Sequence, residues 1–275
     1  MTPDERVGHC VLSQLLLGER VLVEEVRPDG WARLVAVEQP AAKLDPRGYP
    51  GWLPVDQLTL PLEPATGEAM GTGGATVADE AALVVDAVVT RLHEFPAGPV
   101  ALPGVILGTR LRPAGPARDG WRPVRVPGWD APLWAPEGHL VPVPTRPPSA
   151  AEVLAVASRL LDVTYVWGGV SPYGIDCSGL VHLAWRRFGV RLPRDADDQA
   201  AATTSLPLGT ERPGDLYFFA RPGKAIHHVG MVTARPGPGD DRRMLHACYT
   251  KRRVLEERLP AERTATLVGA HRVAV

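Results

Sequence analysis

Thr164-Tyr-Val-Trp-Gly-Gly-Val-Ser-Pro-Tyr-Gly-Ile-Asp-Cys-Ser-Gly-Leu-Val-His-Leu-Ala-Trp185 places one cysteine, Cys177, where a Gly-rich turn runs into an amphipathic helix. Leu180, Val181, Ala184, Trp185 and Phe188 recur at helical spacing until Gly189 ends the run, as in a helix packed on a core. A helix start offers unpaired N–H groups and the positive end of the macrodipole, so the sequence predicts a thiol pKa below its usual ~8.5. The same amides suit a developing oxyanion. A buried structural cysteine is the competing reading. The polar neighbours Asp176 and Ser178, and a Gly179 that admits a close backbone approach, are not what packing alone selects.

A thiolate needs a base, and two of the eight histidines stand out. The runs Gly214 to Phe219, Ala225 to Thr233 and Arg243 to Tyr249 have strand length and are separated by Gly, Pro and charged turns, which predicts an antiparallel sheet after the helix. His228 on the middle run and His246 on the next can face the helix start, one as base and the other as its orienter. Strand alternation turns the neighbouring His227 to the opposite face.

The patterns Tyr-x-Trp-Gly-Gly (165–169), Asp-Cys-Ser-Gly-Leu (176–180), Pro-Arg-Asp (193–195), Pro-Gly-Asp-Leu (213–216) and His-Val-Gly-Met (228–231) together resemble the NlpC cell-wall peptidases, papain-like cysteine enzymes. The resemblance covers residues 146–275. It implies Cys177 as nucleophile, His228 as general base, His246 as the orienting third member and Tyr165 as a hydroxyl donor near the oxyanion. Related enzymes often read Arg-Asp-Ser-x-x-Gln where this chain has Arg194-Asp-Ala-Asp-Asp-Gln, so Ala196 removes one hydroxyl from the expected cleft. Arg194 is expected to pair a substrate carboxylate bidentately. Asp176 and Ser178 are expected to line the substrate site.

Upstream, the chain repeats itself. Leu15-Leu-Leu-Gly-Glu-Arg precedes Asp29-Gly-Trp, and Val105-Ile-Leu-Gly-Thr-Arg precedes Asp119-Gly-Trp. Each copy then reaches a Trp-x-Pro, Trp52-Leu-Pro and Trp134-Ala-Pro, followed by Leu58 and Leu140. Short apolar strands with Asp-Gly turns resemble bacterial SH3-like barrels. The expected fold class is α+β, a papain-like domain of helices and antiparallel sheet preceded by two small SH3-like β-barrels. The expected boundaries are 1–62 for the first barrel, 63–80 for a linker, 81–145 for the second barrel and 146–275 for the peptidase. The stretch Pro61 to Glu80 and the run Pro142-Val-Pro-Thr-Arg-Pro-Pro have linker composition. Ser149-Ala-Ala-Glu152 reads as a capping box opening a helix through Leu161.

The first copy carries an insertion containing Leu44-Asp-Pro-Arg-Gly-Tyr-Pro-Gly-Trp52, and loops carry recognition. By resemblance to SH3-bearing members, this barrel closes the cleft around a free amino terminus. Tyr49 and Glu19 are then expected to help Asp176 hold the ammonium.

Composition agrees with a multidomain enzyme: 275 residues, 45% hydrophobic, with 28 glycines and 29 prolines that favour turn-rich β units. A net charge of -1 excludes a typical nucleic-acid binder. No run of apolar residues is long enough to span a membrane, and no secretory signal is visible. Cys10, Cys177 and Cys248 make neither a closed disulfide framework nor a paired metal-ligand spacing, so a cytoplasmic protein without metal or cofactor is expected. The expected activity is a γ-D-glutamyl-L-diamino acid endopeptidase on murein peptides with a free N-terminal L-Ala, the diamino acid being lysine or diaminopimelate. The alternatives are a papain-like amidase or acyltransferase, and a catalytically silent peptidoglycan-binding protein.

Overall fold

The computed structural model describes residues 2, 4, 6, 8, 10–59, 83–239 and 241–274, so the Pro61 to Glu80 linker lies outside the described residues. The first β unit is a three-stranded antiparallel sheet of β1 (Val21–Val26), β2 (Trp31–Ala36) and β3 (Tyr49–Pro54). The second contains β4 (Leu83–Val85), β5 (Val89–His93), β6 (Val100–Ile106), β7 (Arg110–Pro113), β8 (Trp121–Arg125), β9 (Leu133–Pro136) and β10 (Leu140–Pro142). They form one sheet in the order β10-β4-β7-β8-β9-β5-β6.

The sequence repeat is also a structural one. Trp31 and Trp121 open β2 and β8 and pair with Pro54 and Pro136 at the ends of β3 and β9. The carbonyls of Gly30 and Gly120 accept from the amides of Val55 (2.9 Å) and Glu137 (2.8 Å), each of which starts a short 3₁₀ turn. What differs is the interior. The second unit buries Val85, Leu92, Leu111, Val124 and Leu133 in a core of its own. The first gathers Ala36, Ala41 and Tyr49 into a smaller cluster, with Ala32, Leu34 and Val35 also buried among its described residues.

The C-terminal domain opens with α1 (Ala150–Ser158), whose capping box of Ser149 and Glu152 is present as predicted. The helix stops at Ser158 rather than Leu161, and the chain continues in tight turns through Leu161. A two-stranded hairpin, β11 (Val170–Ser171) and β12 (Gly174–Ile175), feeds α2 (Cys177–Arg186), every residue of which is buried. After α3 (Ala196–Ala201) come β13 (Thr204–Leu206), β14 (Leu216–Ala220), β15 (Ile226–Val232), β16 (Arg243–Cys248), β17 (Arg253–Arg258), α4 (Ala261–Thr264) and β18 (Leu267–Arg272). The sheet is antiparallel in the order β13-β18-β14-β15-β16-β17.

Helix α2 lies on the middle of that sheet. Leu180, Val181, Leu183 and Ala184 share one core with Val229 and Met231 of β15 and with Leu245 and Ala247 of β16. Leu16, Ile106 and Leu107, from the turns that open the two repeats, enter the same core. Both β units are thereby seated against the helix that carries the cysteine. No helix among the described residues is long and apolar enough to cross a membrane.

Candidate active site

Cys177 is the first residue of α2 and Asp176 its N-cap, with the Asp176 carboxylate accepting from the amide of Gly179 at 2.7 Å. Two glycines permit this corner. A Cβ on Gly179 would lie 2.2 Å from the carbonyl oxygen of Gly169, and one on Gly168, at φ +74°, would lie 2.3 Å from that of Val11. The first contact locks the Gly-rich turn to the helix start. The second seats the N-terminal segment across the turn, where the Val170 amide also donates to Gln14 Oε1 at 2.8 Å.

The thiol is buried, with the backbone of Val229 and Ser178 placed to favour its charged form. Burial, reinforced by the Asp176 charge, pushes its pKa up to about 12, and that backbone and Arg194 pull the other way without winning. This corrects the expectation of a depressed pKa: in the resting enzyme desolvation outweighs the helix start, and the thiol is neutral. Tyr165 is buried beside it, its phenol raised by burial and then by the Cys177 charge.

Cys177 shares its core with Val229, which brings the thiol against the strand that carries His228. His228 is buried and His227 exposed, as alternation requires. His228 Nε2 lies 2.9 Å from His246 Nδ1, and His246 Nε2 lies 3.0 Å from Glu257 Oε1. Burial holds both imidazoles below the usual histidine pKa, His228 well below it. Glu257, on β17, is lowered to about 2, first by His246 and also by Lys251, whose Nζ is 2.5 Å from Oε2. Cys248 lies beside this group and accepts from the Lys251 amide and from Arg263. Donor atoms of His246, Cys248 and Glu257 come within 4.8 Å of one another. Lys251 and Arg263 pair with Glu257, so the cluster is an ion-paired support for His246.

Four expected substrate contacts take other roles. Arg194 is 1% exposed and clasps Asp176 bidentately, at 3.0 Å and 2.7 Å, while also donating to Ser178 Oγ and Ser13 Oγ. It has no face left for a substrate carboxylate. Asp176 accepts from Gly168, Gly179, Ser178 and both terminal nitrogens of Arg194, which fills its acceptor positions and leaves none for an ammonium. Ser178 is spent between the two. Glu19 pairs with Arg186 at 2.8 Å and accepts from Gln39 at 2.9 Å. Arg186 ends α2, roughly 13 Å along the axis from Cys177 at 1.5 Å per residue, so Glu19 joins the domain interface instead of the cleft.

Tyr49 does meet the catalytic domain. Its hydroxyl donates to Asp195 at 3.3 Å, and burial followed by the Asp195 charge raises its pKa to about 12. From the same inserted loop, Lys43 reaches Asp195 (3.2 Å) and Asp197 (2.5 Å), and the Pro40 carbonyl accepts from the Arg194 amide at 3.0 Å. Glu257 and Asp195 are the two site residues that sequence reasoning assigned no role. The Pro-Arg-Asp pattern was a signal for Asp195, whereas Glu257 had none beyond its place on the strand next to His246.

A profile of the NlpC/P60 family matches residues 162–267. Over 267 residues the chain is 32% identical to a γ-D-glutamyl-L-lysine dipeptidyl-peptidase of Bacillus subtilis, spanning 91% of this chain and 78% of that protein. The chain belongs to the NlpC/P60 family. A protein of Bacillus cereus with the same description is 28% identical over 264 residues, 92% of this chain and 73% of the relative. The crystal structure of an NlpC/P60 family protein from Bacillus cereus superposes with a TM-score of 0.78 at 25% identity, covering 95% of this chain and 81% of that one. Membership makes the C-terminal domain the papain-like cysteine-hydrolase fold, in which a helix bearing the nucleophile lies on an antiparallel sheet bearing the imidazoles.

Proposed function

We propose that this NlpC/P60 protein is a cysteine endopeptidase that hydrolyses the γ-D-glutamyl-L-diamino acid bond of murein peptides with a free N-terminal L-Ala. The observation that carries the reading is the buried thiol of Cys177, packed in one core with the strand of His228, with His228, His246 and Glu257 in one hydrogen-bonded line. The names of the two Bacillus relatives support the bond and the substrate class.

With thiol and imidazole both neutral at rest, the sulfur attacks the γ-carbonyl as its proton moves to His228. The tetrahedral oxyanion is received by amides of the helix start and by the Tyr165 hydroxyl. His228 then protonates the leaving amine of the diamino acid, and the C–N bond breaks to give a thioester. Water, deprotonated by His228, releases L-Ala-γ-D-Glu and restores the thiol.

We read the two β units as SH3-like and the first as the gate. Asp195, held by Tyr49 and Lys43 of the inserted loop, is the partly exposed carboxylate at this seam, in place of the saturated Asp176. A substrate ammonium would displace that of Lys43 from Asp195. Buried or half-buried carboxylates left without a cation are costly, so an N-acylated peptide is disfavoured.

Mass spectrometry of products from L-Ala-γ-D-Glu-diaminopimelate and its N-acetylated form tests the reading, with Cys177→Ala as the blank. Release of L-Ala-γ-D-Glu from the free-amine peptide alone is expected. Cleavage of both peptides would remove the gate, and cleavage of neither would overturn the assignment.

A further inference from the structure

The ring nitrogens of His228 and His246 can be assigned protons from the chain of contacts, beginning at its charged end. Glu257 is ionised, and an ionised carboxylate only accepts. Nε2 of His246 therefore carries the hydrogen in the 3.0 Å contact. A neutral imidazole has one N–H, so Nδ1 of His246 is bare, and the 2.9 Å contact must be donated by Nε2–H of His228. Nδ1 of His228 is then the free lone pair, the only form in which this ring accepts a thiol proton.

We propose that Glu257 is a positioning residue that fixes the tautomers of both imidazoles through His246 and stabilises the imidazolium formed on His228. Its side chain is 11% exposed and is faced by His246 and Cys248 from β16, Lys251 from the turn before β17 and Arg263 from α4. His228 is faced by His246, by the ring of Phe219 from β14 at 5.5 Å, by Arg263, by His227 on its own strand and by the thiol end of α2. Glu257 supplies the negative charge of this set, and two cations moderate it. Lys251 is the exposed one, and Arg263 is held against the Phe219 ring.

This inference rests on the peptidase reading for its purpose but not for its test. The rate of iodoacetamide alkylation at Cys177, followed by peptide mass spectrometry against pH, needs no substrate and reports when the thiolate forms. In Glu257→Gln a negative charge near the neutral thiol–imidazole pair is lost, so the midpoint moves down by about one pH unit, the ordinary size of an environmental shift in folded proteins, while the imidazolium formed in the reaction loses its counter-charge. Turnover falls about tenfold or more. In Lys251→Met the charge of Glu257 is less screened, and the midpoint moves up. A merely structural role for Glu257 would not produce shifts of opposite sign. Nitrogen-15 spectra of the wild type should show Nε2–H on both His228 and His246, with the pattern disturbed in Glu257→Gln. Midpoints that move together or not at all, or an Nδ1–H on either ring of the wild type, would overturn the proposal. Opposite shifts without cleavage of any muropeptide would leave the proposal standing and remove the substrate instead.

Discussion

Two lines of hydrogen-bonded side chains leave the start of α2, and both contain carboxylates, yet they end differently. One runs from Asp176 through Arg194, Ser13 and Gln39 to Glu19 and Arg186, joining the catalytic domain to the first β unit. Every carboxylate on it is matched by a guanidinium, and the line carries no charge to lend. The other runs from His228 through His246 to Glu257 and keeps two neutral rings between the nucleophile and the charge. The first line holds the helix start in place. The second can take up a proton, because its charge is held at a distance and matched only at its far, more exposed end.

Substitution of Arg194 should separate the two most sharply. Arg194→Met leaves Asp176 as an uncompensated buried charge, and loss of one partner of such a pair costs about 3–5 kcal/mol. Urea unfolding should show that loss, with activity falling only as far as the fold does. A stable but inactive Arg194→Met protein would instead put Arg194 in the chemistry.

Acid should find the second line first. His228 and His246, together with His182 (lowered to about 3 by burial), remain neutral in the folded chain while the unfolded chain takes up protons near 6.5. Folded pKa values below the unfolded ones mean that stability falls as pH drops through 6.5 toward 3. Glu257, lowered to about 2, adds its share only below 4.5. Thermal unfolding should therefore weaken from pH 6.5 downward, and a melting temperature flat from pH 7 to pH 5 would contradict neutral buried imidazoles.

The smallest effect belongs to Tyr49, at the edge of the first line. Tyr49→Phe removes one long hydrogen bond, worth about 0.5–1.5 kcal/mol. It should raise KM severalfold for the free-amine peptide and leave any residual cleavage of the acetylated one unchanged. Equal changes for both would detach Tyr49 from amine recognition.

What the sequence made legible was local. Cys177 at a helix start, the outward turn of His227 and the paired Trp-x-Pro hairpins follow from spacing and alternation, and each was found where expected. Contacts made across long stretches of chain were not legible. Asp176 and Arg194 each suit a substrate ion when considered alone, and only the fold brings them within 2.7 Å of one another. Glu257 sits next to Glu256 on a charged strand and reads as solvated until β17 lies beside β16. The thiol pKa was misjudged for a related reason: a helix start is visible in sequence, and the depth at which it is buried is not.

The line from Asp176 to Arg186 also bears on how the protein can be divided at the bench. A catalytic segment expressed from residue 146 onward would expose the core surface left by Leu16 and Leu107 and strip Arg186 of both its carboxylates. The peptidase is therefore not a portable module that can be grafted onto another targeting domain. Calorimetry should record the first β unit and the catalytic domain melting as one cooperative transition, not as beads on a string.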